Sequence, residues 1–398
     1  MKRIINLSNI IDIIVIFSCC EVAYFNYINQ SYTKILMISR LVLIAFLLLK
    51  LFSKRNKNIK SKTFLIISTI MVMFTLISIF RKIDIIYYIV KLFSKPYLIV
   101  LYIQLYFDKN DRIKKLLQNW RIFLFILCMV DFATVLYYPK GMFMENNYNL
   151  NWFLGYKTAR MVYSWPLMFI SSYLDFYDND RKKISKTTIL CLAMCVYTTF
   201  KTQATGASTA LLLYAALVYF LKLERASSKK LYFIFNPKRI LLYSAIIYFL
   251  VMSIESNTYI QNIVITIFKK STTLSNRTGI WKNCFEFFLK SPIFGKGIFT
   301  PLEYISISKY YLGTNAHNFL LTLLVSGGIV CVVLYILMFN ASMHRENQRY
   351  SKREMTLIYS IITFVFVGLT SSTMVFSMGA YLPFMLLEYE KIKNKEEN

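Results

Sequence analysis

Acidic residues are scarce in this chain, with 20 Asp and Glu against 47 Lys and Arg, and histidine occurs only twice. It has no Walker-type glycine-rich loop, no His-Glu-x-x-His and no Gly-x-Ser-x-Gly, so ATP-driven and hydrolase chemistry lack support. No internal repeat is present, and neither half carries the paired Gly- or Pro-interrupted helices of inverted-repeat transporters. The seven cysteines lack metal-ligand or disulfide spacing; all but Cys284 lie in apolar segments and read as small core residues. No small-residue cleavage site follows Cys19-Cys20, so the first apolar stretch reads as a retained span rather than a signal peptide. Charged residues make up only 17% of the chain, and the net charge of +27 falls in short clusters between apolar runs. That distribution excludes the single basic face a nucleic-acid partner would need.

What is abundant is apolar: 57% of the residues are hydrophobic and the mean hydropathy is +0.48. A helix needs roughly 20 apolar residues to cross the hydrocarbon. Runs near 9–27, 35–52, 63–80, 85–107, 122–138, 160–177, 188–201, 207–222, 239–254, 318–339, 356–371 and 374–389 approach that length. The expectation is therefore an all-α polytopic membrane protein with about twelve transmembrane helices. The short runs 188–201 and 207–222 are also compatible with a hairpin that does not fully cross. Lys- and Arg-rich loops stay in the cytoplasm, which puts both termini inside and the protein in the cytoplasmic membrane.

One hydrophilic segment interrupts the pattern. Residues 255–317 form a large extracytoplasmic loop between an N-terminal membrane bundle, 1–254, and C-terminal helices with a tail, 318–398. The loop carries seven Lys and Arg against Glu255, Glu286 and Glu303, the reverse of the usual bias for an outside segment. Arg277 opens an amphipathic helix with Ile280, Trp281, Cys284, Phe285 and Phe288 at i, i+4 spacings, a face that would lie at headgroup level or pack on the bundle, and Ser275 or Asn276 as its cap, a favourable position for a diphosphate. A loop arginine holding lipid headgroup phosphates is the plainer alternative. Ser291-Pro292 ends the helix, and Gly295-Lys-Gly297 allows close backbone approach to a ligand. Asn315-Ala-His317-Asn318 closes the loop. His317 is expected in the first turn of the next membrane helix, where the dipole disfavours a cation and leaves the imidazole able to accept a proton.

The order Arg-x-Gly-x-Trp, Pro-x-x-Gly-x-Gly, Ala-His-Asn, then Ser326-Gly327-Gly328 resembles the signature segment of the O-antigen polymerase and ligase family, which includes capsule polymerases. Asn151 to Arg160 resembles that family's earlier outside loop. Thr205-Gly-Ala-Ser208-Thr-Ala-Leu resembles its Gly-Ser-Arg-Thr-Ala-Leu segment without the arginine, a charge that Lys201 is placed to supply.

The resemblance implies a membrane glycosyltransferase of the broad C-type architecture. Its donors and acceptors would be undecaprenyl-diphosphate-linked oligosaccharides, its setting membrane lipid, and its partners a chain-length regulator and a flippase. A sugar leaving a diphosphate departs as a stable anion, so cations matter more than a general acid. Arg277, Arg160 and Lys201 are the expected cations. His317 is the expected base, and Asn315, Asn318, Gly295 and Gly297 the expected substrate contacts. No metal or other cofactor is expected, since the only Asp-x-Asp, Asp178-Asn-Asp180, falls on the cytoplasmic side. Asp12, Glu21, Lys91, Lys95 and Asp131 lie inside spans, where charge is costly, and Lys91 with Lys95 would line a lipid-phosphate cleft or a packed polar seam. Snorkelling to the inner interface is the other reading of Lys95. Rival functions are a ligase on the same fold and a polysaccharide flippase or transporter.

Overall fold

A computed structural model of the protein describes residues 7–53, 60–81, 86–145, 149–177, 184–222, 277–310, 313–343, 350–368 and 377–396, with isolated positions between 239 and 246. Helices form along the apolar runs, because a chain in hydrocarbon must satisfy its amides within its own segment. The first run breaks at Cys20 into α1 (Leu7–Cys19) and α2 (Ala23–Ile28). There follow α3 (Ser31–Ser53), α4 (Lys62–Arg81), α5 (Ile86–Leu105) and α6 (Asn110–Tyr137). Next come α7 (Met161–Asp175), α8 (Lys186–Lys201) and α9 (Thr205–Lys222). After the large loop begin α10 (Arg277–Leu289), α11 (Pro301–Ser308), α12 (Phe319–Ser342), α13 (Lys352–Gly368) and α14 (Met378–Glu396).

Five described helices are long and apolar enough to cross a membrane: Ser31–Ser53, Lys62–Arg81, Tyr88–Leu105, Asn110–Tyr137 and Phe319–Ser342. The other expected spans are shorter or charged, and the run at 239–254 lies outside the described stretches, so length alone does not carry a count of about twelve. The all-α expectation agrees with this architecture, to which one small sheet is added. Between α6 and α7 the chain forms an antiparallel sheet of three short strands, β1 (Phe143–Glu145), β2 (Asn149–Trp152) and β3 (Gly155–Tyr156).

Helices from the two ends of the chain interleave: α12 lies on α4 and α14, α13 on α7 and α9, and α14 on α5. Bonds between elements fix which ends coincide. The C-terminal end of α4 meets the large loop, where Ile298 N donates to Ser78 Oγ at 2.7 Å. The N-terminal end of α4 meets α14, where Thr63 N donates to Glu388 Oε2 at 2.9 Å. Lys391 Nζ in turn donates to Ala341 O, near the end of α12, at 2.7 Å. Antiparallel to α4, α12 therefore has Asn318 at the loop end of the bundle and Ser342 at the tail end.

Charges within the helices are matched in pairs, as their insertion cost requires. Asp12 accepts from Arg112 Nη2 at 2.7 Å and also from Tyr102. Asp131 pairs with Arg160 at 3.2 Å, and Glu21 with Lys95 at 2.6 Å. Lys95 thus does not snorkel. Its partner Glu21 is shared with Arg40, 3.7 Å away and completely buried in the middle of α3.

Candidate functional site

The large loop is organised around a break in α12. Gly328 has φ 63° and ψ −163°, which interrupts the helix and strands backbone groups on both sides. Such a break inside a membrane helix is tolerated only where other groups satisfy it. The segment 292–297 does so from both directions. Lys296 N donates to Val325 O at 3.0 Å and Gly297 N to Ser326 O at 2.7 Å, while Ile329 N donates to Pro292 O at 2.9 Å and Val330 N to Ile293 O at 3.1 Å. Backbone approaches backbone so closely that a methyl on Gly295 would lie 2.6 Å from Gly327 N, and one on Gly328 would collide with the Ile293 carbonyl. Gly295 and Gly297, expected as ligand contacts, are therefore required by this joint, Gly297 seating against Ser78.

Beyond the joint the chain turns back over the end of α4. Arg81 donates to Ile298 O, lies 3.9 Å above the Phe299 ring and reaches Glu303 at 3.4 Å. Thr300 and Glu303 form a capping box that starts α11. α10 lies along the first half of α12, with Ile280, Trp281, Cys284 and Phe288 buried against Ala316, Leu321 and Val325. The apolar face of α10 thus packs on the bundle, and Phe285, expected on that face, is exposed. The helix's end at Leu289 leads directly to the joint, and nearer its beginning Ile280 and Trp281 share one core with Ala316 and Leu321. The expected caps Ser275 and Asn276 lie outside the described residues.

The turn that holds His317 is tightly built. Ala316 and Asn318 are buried and His317 between them is half-buried. Asn315 Oδ1 accepts from His317 N at 2.7 Å, and Asn318, the N-cap of α12, accepts from Leu321 N at 3.0 Å. Both asparagines thus shape the backbone that presents the histidine. His317 stands before the cap rather than in the first turn, at φ 48°, a left-handed conformation uncommon outside glycine, asparagine and aspartate. Arg277 is half-buried, and burial holds its guanidinium below the ordinary arginine value, with no carboxylate among the described residues to restore it.

The other expected cations are placed differently. Arg160 is buried, bound to Asp131, and stacked 4.7 Å over Trp152. Asp131 also accepts from Leu154 N at 3.0 Å, so the pair fastens the three-stranded sheet to the bundle. Lys201 is exposed at the end of α8, where a turn through Gln203 at φ 57° leads into α9. The helical hairpin expected there is present, but α8 and α9 pack on α6, α7 and α13 rather than on α10. Lys91 is half-buried in α5 one turn from Lys95. Sequence reading passed over Arg40 and Arg81. An arginine in the middle of the 23-residue apolar α3 was itself a signal, given what such a charge costs. Arg40 donates to Ser18 O at 3.1 Å, yet its Nε and Nη2 have no hydrogen-bond partner among the described residues.

The fold and the site together define a multi-pass helical membrane protein with a loop-built polar site at one end of the bundle. Residues 187–336, a little over a third of the chain, match the family described as O-antigen ligase. The match runs from α8 through the joint in α12 and supports an O-antigen ligase/polymerase-family membrane protein. It indicates ligase- or polymerase-type activity, a membrane glycosyltransferase-like enzyme, and lipid-linked polysaccharide substrates. No curated protein and no solved structure shows a significant match to the chain.

Proposed function

We propose that the chain is a polysaccharide polymerase of the cytoplasmic membrane, moving undecaprenyl-diphosphate-linked repeat units onto a growing lipid-linked chain at the outer face. The supporting observation is Arg277: a half-buried cation without a carboxylate partner among the described residues, at the N-terminus of a helix whose apolar face shares one small core with the His317 turn. Guanidinium and helix N-terminus favour the same kind of ligand, an anion such as a diphosphate.

In the proposed step the acceptor hydroxyl gives its proton to the His317 imidazole while its oxygen bonds to the donor's anomeric carbon. The bond from that carbon to the diphosphate oxygen breaks with inversion, and the lipid diphosphate leaves as an anion held by Arg277 and the amides that open α10. The step takes no metal. Asn315 and Asn318 act by positioning His317. The chain-length regulator and flippase belong to this reading as partners.

The test supplies purified protein in detergent with undecaprenyl-diphosphate repeat units. A ladder of products is expected without nucleotide or divalent metal, and Arg277→Ala should lose it. Transfer only to an unrelated terminal acceptor would instead make the protein a ligase. A ladder undiminished in Arg277→Ala would remove the site.

A further inference from the structure

We propose that the tail end of the bundle holds a binding site for the headgroup of an anionic phospholipid, one carrying two phosphates. A cavity of about 510 Å³ opens there between the start of α4, the end of α12 and the last turns of α14. Its lining includes Lys60, Lys62, Lys391 and Lys395, with Glu388 as the acidic member. Glu388 keeps its charge but is engaged with the start of α4. Its carboxylate caps α4, accepting from Lys62 N at 3.0 Å and Thr63 N at 2.9 Å and from the Ser61 hydroxyl. Lys60 reaches Asp108 at 3.0 Å, and Lys391 donates to Ala341 O. Lys62 and Lys395 have no carboxylate partner among the described residues. The cavity therefore sets four ammonium groups against the carboxylates of Glu388 and Asp108, a net excess of positive charge.

Position and size name the ligand. Two membrane-length helices meet here, α4 at its first residue and α12 near its last, so the cavity lies at headgroup level. Basic pockets between membrane helices at that depth suit phospholipid headgroups. At about 30 Å³ for each water, the space holds on the order of 17 waters. A lone phosphate would fill little of it, whereas a phosphate-glycerol-phosphate unit would reach Lys62 on one helix and Lys391 and Lys395 on another. Ile392, also in the lining, offers apolar surface to the first acyl carbons. The site is independent of the proposed transfer chemistry, since it lies at the opposite end of α12 from His317.

The experiment measures lipid retention by native mass spectrometry, and the melting temperature, of the full chain in neutral detergent. Diphosphatidylglycerol, phosphatidylcholine and inorganic diphosphate are added separately. Diphosphatidylglycerol should bind and raise the melting temperature, and the other two should do neither at equal concentration. With Lys62→Gln and Lys395→Gln combined, its affinity should fall roughly 30-fold, on about 1 kcal/mol for each lysine near a lipid surface. Lys290→Gln, a control in the large loop, should bind as the unaltered protein does. Equal binding of phosphatidylcholine, or an unchanged affinity in the double variant, would overturn the proposal. Equal stabilisation by diphosphate would also overturn it, revealing a soluble-anion site. The comparison among ligands requires no variant to fold.

Discussion

An arginine that opens a helix faces the positive end of that helix's dipole, and partial burial adds a desolvation cost. Arg277 bears both, with no carboxylate beside it among the described residues. An arriving diphosphate would relieve both at once, and it is on this ground that the residue is expected to act in the transfer. Arg277→Ala should lower the polymerisation rate about 10²- to 10³-fold, the effect of removing one donor from an anion-stabilising site. Arg277→Lys should fall between, because an ammonium keeps the charge but not the planar two-pronged donation. For His317 the backbone gives a way to separate chemistry from shape. Asparagine tolerates the left-handed conformation that His317 adopts, so His317→Asn should melt with the unaltered protein yet lose about 10²-fold or more in rate. A variant that melts normally and still polymerises at full rate would show that the histidine serves the turn alone.

Among elements, α12 depends on a splint that comes from outside itself. The glycines of the Pro-x-x-Gly-x-Gly and Ser-Gly-Gly stretches form one joint, in which loop and broken helix complete each other's hydrogen bonds. Cys284 reports on its integrity, being fully buried in the core α10 shares with α12, where burial pushes the thiol up to about 12. Gly328→Ala forces a side chain against the Ile293 carbonyl at a positive φ. It should loosen α10 and speed maleimide labelling of the Cys284 peptide at pH 8 at least tenfold, read by peptide mass mapping. The sheet depends on the buried Arg160–Asp131 pair in the same sense. Asp131→Ala strands a buried guanidinium and should cost about 3–5 kcal/mol in unfolding experiments in detergent. These two cases also mark where sequence reading stops. Helix α10, its apolar face and its end near Ser291 were legible because 3.6-residue periodicity and proline are local signals. That Gly295 seats on Gly327, or that Arg160 binds Asp131, depends on partners 32 and 29 positions away, which no local pattern encodes. The short strands were missed for a related reason: three or four residues are too few for alternation to declare itself.

Across the molecule, charge is sorted by end, and α12 measures the distance between the ends. Its 24 residues at 1.5 Å each give at most about 36 Å, the break at Gly328 taking some of it, against the roughly 30 Å of hydrocarbon. Thr314, exposed just before α12, and Lys395, exposed near the end of α14 beside the tail end of α12, should therefore face opposite sides of the membrane. The clustering of Lys and Arg around 54–60, 181–183 and 391–395 is the ground for expecting the Lys395 side in the cytoplasm. Thr314→Cys should thus be labelled by a membrane-impermeant maleimide in intact cells, and Lys395→Cys only after permeabilisation. The arrangement matters for the chemistry, since a polymer built outside the cell requires Arg277 and His317 on the side of Thr314. Labelling of both positions from the same side would break the direction assigned to α12, and with it the proposal that lipid diphosphate and growing chain meet beyond the outer leaflet.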